Sequence, residues 1–213
     1  FRGKRSLKVQ SGDLLAIYPK NDHRERLYSI GTIGKEIQLS IKLHEHGLGS
    51  GFLAALNEGN SFKARIVKNQ HFHFPGKSKS VIMVSNGTGI APFLGMIATN
   101  RRNIPVYLYC GFRKQSSFVQ YRESLEKHIE KGSLKQLHLA LSREGTHQYV
   151  THLLNRDEEQ LADLLSAGGV IMICGSLSMQ KDVFELLEQI ASRRLFSDLH
   201  TLKGKGQIMT DCY

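Results

Sequence analysis

Val81-Ile82-Met83-Val84-Ser85-Asn86-Gly87-Thr88-Gly89-Ile90-Ala91-Pro92-Phe93 is the stretch whose reading decides the fold. An unbroken apolar run followed by two glycines and then a helical stretch reads as a buried strand turning directly into a helix. The same rhythm continues downstream. Apolar strands are expected at Val106–Tyr109, Leu137–Leu141 and Val170–Cys174, with helices around 90–100, 116–131, 157–167 and 178–193 and a last strand over Ile208–Tyr213. Strands alternating with helices predict a parallel α/β sheet.

Upstream of Pro75-Gly76-Lys77-Ser78-Lys79-Ser80 the period changes. Leu14–Tyr18, Arg26–Ile30, Ile37–Leu43, Phe62–Val67 and His71–Phe74 read as short strands, most of them alternating with period two and punctuated by Pro and Gly. They predict a small antiparallel β-barrel or sandwich. One helix interrupts it at Ser50–Leu56, with Ser50 as the expected N-cap. The expected domains are therefore 1–75, an antiparallel β-barrel domain, and 76–213, an α/β domain.

Composition narrows the function classes. The chain has 213 residues, 40% hydrophobic and 23% charged, which excludes disordered and collagen-like classes. No apolar run approaches the roughly 18 residues of a membrane-spanning helix. Cys110, Cys174 and Cys212 are too few and too scattered for a disulfide framework or a zinc ribbon, so a reducing, cytoplasmic compartment is expected. The first residue is Phe and basic sequence starts at once, which suggests a chain cut from something longer. The net charge is +10, from 29 basic and 19 acidic residues, and it is spread widely: 12 against 6 in residues 1–75 and 17 against 13 in 76–213. Such a field suits an acidic partner or a phosphorylated cofactor. Aromatic residues interleaved with Lys/Arg and a docking helix are both missing, which argues against nucleic acid. His44/His46 and His71/His73 are expected on solvent faces, and no metal site is expected.

The candidate site lies at the carboxyl ends of the parallel strands. Gly87 and Gly89 let backbone approach a ligand, and the following helix start offers unpaired N–H groups to a pyrophosphate. The next strands end in Arg113, in Ser142-Arg143 and in Cys174-Gly175-Ser176, and two guanidinium groups with a hydroxyl suit a phosphate monoester. In the first half, period two puts Arg26 and Tyr28 on one strand face, and Gly47-Leu48-Gly49-Ser50 presents a second helix start.

Arg26-Leu27-Tyr28-Ser29-Ile30, Gly47-x-x-Ser50, Gly87-Thr88-Gly89-Ile90-Ala91-Pro92-Phe93, Gly111-x-Arg113, Tyr121-Arg122-Glu123, Ser142-Arg143-Glu144, Cys174-Gly175 and Asp211-x-Tyr213 occur here in one order. That order resembles the ferredoxin-NADP reductases, especially the FAD/NADPH-binding part of the diflavin branch that includes sulfite reductase flavoproteins. The resemblance runs from about Ser11 to Tyr213. It implies FAD and NADPH as cofactors. Arg26, Leu27, Tyr28 and Ser29 would lie along the flavin, with Tyr28 against the ring and Arg26 near the pyrophosphate. Ser40, Ile41 and Lys42 would line FAD from the next strand, and Gly47, Leu48, Gly49 and Ser50 would receive its phosphates. Gly87, Thr88 and Gly89 would hold the NADP pyrophosphate. Arg113, Ser142, Arg143, His147 and Tyr149 would hold the adenosine 2'-phosphate and adenine, with Asp182 a further contact. Ser29, Cys174 and Asp211 would surround hydride transfer, and Tyr213 would stack on the flavin.

The chain departs from the family's pattern in places. His147 stands where Lys is usual, so that one fixed charge becomes titratable and the preference for NADPH over NADH weakens. Ser176 replaces Asp, and Tyr213 stands where diflavin reductases mostly have Trp. Only a short loop separates Tyr18 from Arg26, where larger relatives insert a helical connecting domain, and the barrel lacks its first strand. The implied function is an NADPH-dependent flavoprotein reductase that passes hydride to FAD and then single electrons to an acidic acceptor. That acceptor would be a flavodoxin-like domain of a longer chain, or a ferredoxin. The rival readings are a stand-alone flavin or ferric-chelate reductase and a non-catalytic module that senses NADP or docks acidic partners. The expected setting is the cytoplasm, or the cytoplasmic part of a longer, membrane-attached chain, with no membrane contact from this segment.

Overall fold

The computed structural model describes Phe1, residues 8–19 and residues 22–213. Its first half is antiparallel. β1 (Leu14–Ile17) lies between β2 (Arg26–Ser29) and β5 (Ala64–Val67), with Leu14 opposite both Ser29 and Val67. β3 (Gly31–Ile33) and β4 (Glu36–Gln38) form a hairpin, and α1 (Leu48–Ala54) closes over a small core of Leu15, Ile17, Ile30, Ile37 and Leu53.

The second half is a five-stranded parallel sheet in the order β10-β9-β6-β7-β8. The strands are β6 (Val81–Asn86), β7 (Val106–Phe112), β8 (Gln136–Leu141), β9 (Val170–Gly175) and β10 (Ile208–Cys212). Helices α2 (Ala91–Ala98), α3 (Val119–Glu130), α4 (Val150–Arg156), α5 (Glu158–Ser166), α6 (Leu177–Leu195) and α7 (Leu199–Gly204) connect them. The central strands are apolar without alternation because helices cover both faces: Val81–Ser85 and all of β9 are buried. The fold class expected from sequence, an antiparallel β half followed by a parallel α/β half, is the one observed.

Local expectations needed correction in three places. The period-two run Ile37–Leu43 pairs only as far as Gln38. Beyond it the chain leaves the hairpin, and Ser40 Oγ takes a hydrogen bond of 3.0 Å from the Tyr121 hydroxyl on α3. His71–Phe74 is no strand. Gln70–Phe72 is a 3₁₀ turn that buries Phe72 against Phe93, with ring centroids 5.9 Å apart. His73 is turned from the expected solvent face to put Nε2 2.8 Å from Asp13 Oδ1. Finally, α1 starts before Ser50, with Gly47 as its N-cap, and the Ser50 hydroxyl accepts from the His44 N–H and donates to the Gly47 carbonyl.

Two close approaches seat one half on the other. A Cβ at Gly31 would stand 2.3 Å from the Ala91 carbonyl oxygen, and one at Gly95 would stand 2.4 Å from the Thr32 amide nitrogen. Helix α2 therefore packs backbone to backbone on β3, a distance only glycine allows. Ser11 Oγ, 2.8 Å from Thr32 Oγ1, completes this contact.

Asp13 is fully buried at the start of β1. Burial pushes its carboxyl up. Hydrogen bonds from Lys68 (2.7 Å), the Gln10 N–H, His73 and the Asn69 N–H outweigh burial and hold its pKa to about 2. Because the folded carboxylate binds a proton less readily than the unfolded one, this stabilisation is complete above pH 3.8 and is lost as pH falls toward about 2. Asp13→Ala takes the carboxylate from Lys68, which keeps the Lys8 carbonyl, and from the Gln10 and Asn69 amides, and should cost about 2–4 kcal/mol at pH 7, read by urea melts. The variant's melts should also lack the loss of stability that the parent shows between those two pH values. Gly95→Ala should cost about 1–3 kcal/mol because backbone must move. Gly51→Ala, which meets nothing within 4 Å, should raise stability by up to about 1 kcal/mol. Equal effects of the two alanines would refute the close-approach argument.

Candidate functional site

Parallel register brings the ends of five strands to one edge. Ser85 pairs with both Cys110 and Cys174, Phe112 with Leu141, and Asp211 with Cys174. The sequence segments Gly87-Thr88-Gly89, Arg113, Ser142-Arg143, Cys174-Gly175-Ser176 and Asp211–Tyr213 are therefore neighbours. A 3₁₀ turn over Gly87–Ile90 carries the chain from β6 into α2. A Cβ at Gly89 would lie 2.1 Å from the Cys174 carbonyl oxygen, so the turn passes directly against the end of β9.

At this edge three polar side chains from the two halves meet. Ser29 Oγ donates to Asp211 Oδ2 at 2.7 Å, and Cys174 Sγ stands 3.9 Å from the same oxygen. Cys174 is fully buried and Ser29 is 8% exposed. Burial raises the Asp211 carboxyl above the ordinary aspartate value, against the lowering pull of Ser29 and Cys174. Burial likewise lifts the Cys174 thiol well above its usual range, with the Asp211 charge adding to the shift, so the sulfur remains protonated at neutral pH. Period two sets Leu27 beside Ser29 and Tyr213 beside Asp211. Both are large apolar side chains left exposed, at 50% and 62%. The Tyr213 hydroxyl is 3.0 Å from Thr88 Oγ1, so its ring spans from β10 to the glycine turn.

Asn86 is a member of this edge that the sequence did not single out. Its Oδ1 accepts from the Ser176 N–H at 3.0 Å and its Nδ2 donates to Ser176 Oγ at 2.9 Å. Ser176 in turn caps α6 through the Met179 N–H. One amide side chain thus ties the glycine turn to the corner after Cys174. The only signal in the sequence is a polar residue closing an apolar strand, which becomes informative once β6 and β9 are known to be adjacent.

The phosphate candidates lie further along. Arg143 N–H donates to the Arg113 carbonyl at 2.9 Å, so the two arginines start from adjacent backbone. Both guanidinium groups are exposed, and neither has a carboxylate partner among the described residues. His147 adopts a left-handed conformation (φ 50°) and its Nδ1 lies 3.2 Å from the Ser142 carbonyl oxygen. That oxygen can only accept, so Nδ1 carries the proton and Nε2 is free to face a ligand. Tyr149 is 60% exposed on the same loop. Glu144 is held away from the arginines, its carboxylate accepting from the Gln115 N–H at 2.7 Å. Asp182 stands exposed on the second turn of α6 and is not drawn into this group by any hydrogen bond or ion pair among the described residues.

In the antiparallel half, Tyr28 and Arg26 pack on the start of α1. A Cβ at Gly49 would be 2.5 Å from the Tyr28 hydroxyl and 3.0 Å from Arg26 Cγ. The Arg26 guanidinium is bound by Asp22 at 2.7 Å. Leu48 is 56% exposed. Ile41 packs on the small core, while Ser40 faces α3 and Lys42 continues the unpaired segment. His44/His46 and His71/His73 form no metal-binding cluster among the described residues.

Residues 83–185 match the family described as oxidoreductase NAD-binding domain. NADPH–cytochrome P450 reductase of Rattus norvegicus is 40% identical over 141 residues, 61% of this chain and 21% of the relative. The sulfite reductase [NADPH] flavoprotein alpha-component of Photobacterium profundum is 31% identical over 182 residues, 76% of this chain and 30% of that protein. NADPH oxidoreductase A of Dictyostelium discoideum is 29% identical over 214 residues, 88% and 34%. The chain therefore spans from 21% to 34% of the length of these relatives. Sequence likeness and the arrangement of an antiparallel half before a parallel one agree: the chain belongs to the ferredoxin-NADP reductase superfamily, where it matches the C-terminal part of the diflavin reductases.

Proposed function

We propose that the chain is an FAD-dependent, NADPH-oxidising reductase module, with residues 1–75 holding FAD and 76–213 holding NADPH. The observation that carries this reading is the contact of Ser29 with Asp211 and Cys174. It is a buried polar cluster drawn from both halves, and it is flanked by the exposed ring of Tyr213. The relatives named for NADPH support the choice of nucleotide. Bound FAD would take a hydride from NADPH and release electrons one at a time.

This chain's residues supply binding and orientation. The turn at Gly87, Thr88 and Gly89 and the start of α2 offer N–H groups to the NADP pyrophosphate. Arg113, Arg143, the Ser142 hydroxyl and His147 surround the 2'-phosphate, Tyr149 lies against adenine, and Asp182 is a further contact. Asn86 fixes the corner after Cys174. Arg26, released from Asp22, and Gly47–Ser50 hold the FAD phosphates. Tyr28 would lie against the flavin ring, with Leu27, Ser40, Ile41 and Lys42 along the cofactor. Ser29 and Cys174 would place polar hydrogens, and Asp211 a carboxyl group, beside the transfer, and Tyr213 would swing aside for the nicotinamide. The net charge of +10 suits an acidic, flavodoxin-like or ferredoxin acceptor. Three free thiols fit a reducing cytoplasmic setting, and no helix among the described residues is long and apolar enough to cross a membrane.

The purified protein should be yellow, and its flavin absorption should bleach anaerobically on adding NADPH. A colourless protein that binds neither FAD nor NADPH overturns the reading. Arg143→Ala should lower kcat/KM for NADPH by roughly 1.5–3 kcal/mol of lost charge-assisted contact while leaving NADH nearly unchanged. Equal losses with both nucleotides would remove Arg143 from the 2'-phosphate.

Asp211→Asn separates function from stability. A carboxyl raised by burial binds its proton more readily in the folded state than in the unfolded, so its ionisation destabilises the fold progressively as pH rises above the ordinary aspartate value. The amide keeps an acceptor for Ser29 without that cost. Melting temperature at pH 8 should therefore equal or exceed the parent's, while stopped-flow flavin reduction slows by about tenfold or more. An unchanged rate would exclude Asp211 from the reaction.

A further inference from the structure

We propose that the pole of the parallel sheet opposite the site is an electrostatic docking face for an anionic lipid surface. In a parallel sheet all connections that lead into strands emerge at the same end. Here these are residues 75–80 before β6, 99–105 before β7, 131–135 before β8, 167–169 before β9 and 205–207 before β10. They contain Lys77, Lys79, Arg101, Arg102, Lys131, Lys135 and Lys205, and no Asp or Glu. All seven are exposed, and none has a carboxylate partner among the described residues. The last helical turns that reach this pole add Lys203, Lys127, which is paired with Glu123, and Arg193 and Arg194, which are paired with Glu158, together with the carboxylates Glu130 and Asp163. Charge that is dispersed along the sequence is gathered by topology.

The loops are in direct contact. The Lys79 N–H donates to the Gly168 carbonyl at 3.5 Å and Arg102 Nη1 to the Gly76 carbonyl at 3.2 Å. A shallow groove runs between them, lined by Pro75, Gly76, Lys77, Gly168, Lys205 and Gln207. Helix C-termini account for Lys131, Lys203 and Lys205, since the negative end of the helix dipole favours a cation. Lys77, Lys79 and Lys135 lie on no helix end, and Arg101 and Arg102 lie beyond the C-cap of α2. The occupant follows from charge complementarity and shape. The face offers cations on glycine-rich loops with no aromatic residue to stack on bases and no helix to enter a groove, which fits a plane of lipid phosphates and disfavours nucleic acid. Docking there leaves the nucleotide edge, at the other ends of the same strands, open to water. The sequence alone led to the expectation that this segment makes no membrane contact, and a lipid-docking face departs from it.

The test is co-sedimentation of the purified protein with phosphatidylcholine vesicles containing about 30% phosphatidylserine, at about 0.1 M salt. Binding is expected, and it should be lost at about 0.5 M salt and with pure phosphatidylcholine. The quadruple variant Lys77→Gln, Lys79→Gln, Arg101→Gln, Lys135→Gln should bind roughly a hundredfold or more weakly. An equal number of neutralised cations elsewhere, Lys35→Gln, Lys63→Gln, Lys114→Gln and Lys181→Gln, should have far less effect. Circular-dichroism melts establish that both variants fold. No binding by the folded parent, equal loss in the two quadruple variants, or tighter binding to duplex DNA or polyglutamate than to the vesicles would each overturn the proposal.

Discussion

The structure depends on the contact of α2 with β3, where Gly31 and Gly95 remove the side chains that would hold two backbones apart. Gly31 follows Ser29 and Ile30 directly, so the seat of α2 on this glycine also fixes where Ser29 points. Helix α2 is itself the continuation of the glycine turn after β6. One steric constraint therefore couples the turn at Gly87–Gly89, the polar residue contributed by the antiparallel half and the end of β9. The tolerance is tight, because Ser29 meets Asp211 at 2.7 Å across 182 residues of sequence. A shift of one ångström in the packing of α2 would break that hydrogen bond.

Two buried aspartates show how the same chemistry is directed to different ends. Asp13 receives four donors, two of them side chains that are charged or chargeable, and it holds its charge down to a pKa of about 2. Asp211 receives one short hydrogen bond from Ser29 and one long contact from a thiol, and its carboxyl is raised instead. The first arrangement locks the segment after β5 to β1 and stabilises the fold. The second leaves an under-satisfied carboxylate facing a surface that exposes Leu27 and Tyr213. Groups that reduce stability in this way persist where a ligand or a reaction uses them.

How much was legible in the sequence follows from the range of the interactions. The apolar runs of β6 and β9 and the glycines after β6 are local signals, so the parallel half, its strand ends and the site edge could be read directly. His73 could not be placed, because its pull toward Asp13 spans 60 residues and outweighs the local alternation that suggested a strand. Ile37–Leu43 failed for a related reason: period two persists beyond Gln38, but the partner strand ends. Helix α4 was missed because its seven residues are too short to show a period, although Leu153 and Leu154 are buried on the sheet. Asn86 has meaning only once register makes Gly175 and Ser176 its neighbours.

The parallel sheet gives the molecule two chemically distinct poles for a single reason. All its strands run one way, so the covering helices run the other, with their N-termini at the strand carboxyl ends and their C-termini at the opposite end. Partial positive charge therefore accumulates where Gly87–Gly89, Arg113 and Arg143 lie, and these reinforce it toward an anionic ligand. Partial negative charge accumulates at the other pole. There it offsets the mutual repulsion of Lys131, Lys203, Lys205 and their neighbours, so that a dense set of cations can be carried without carboxylate partners. Basic residues at the two ends thus stand in opposite fields: at the strand carboxyl ends they add to the positive ends of the dipoles, whereas at the opposite end the loop cations face the negative ends and stay exposed without carboxylate partners among the described residues.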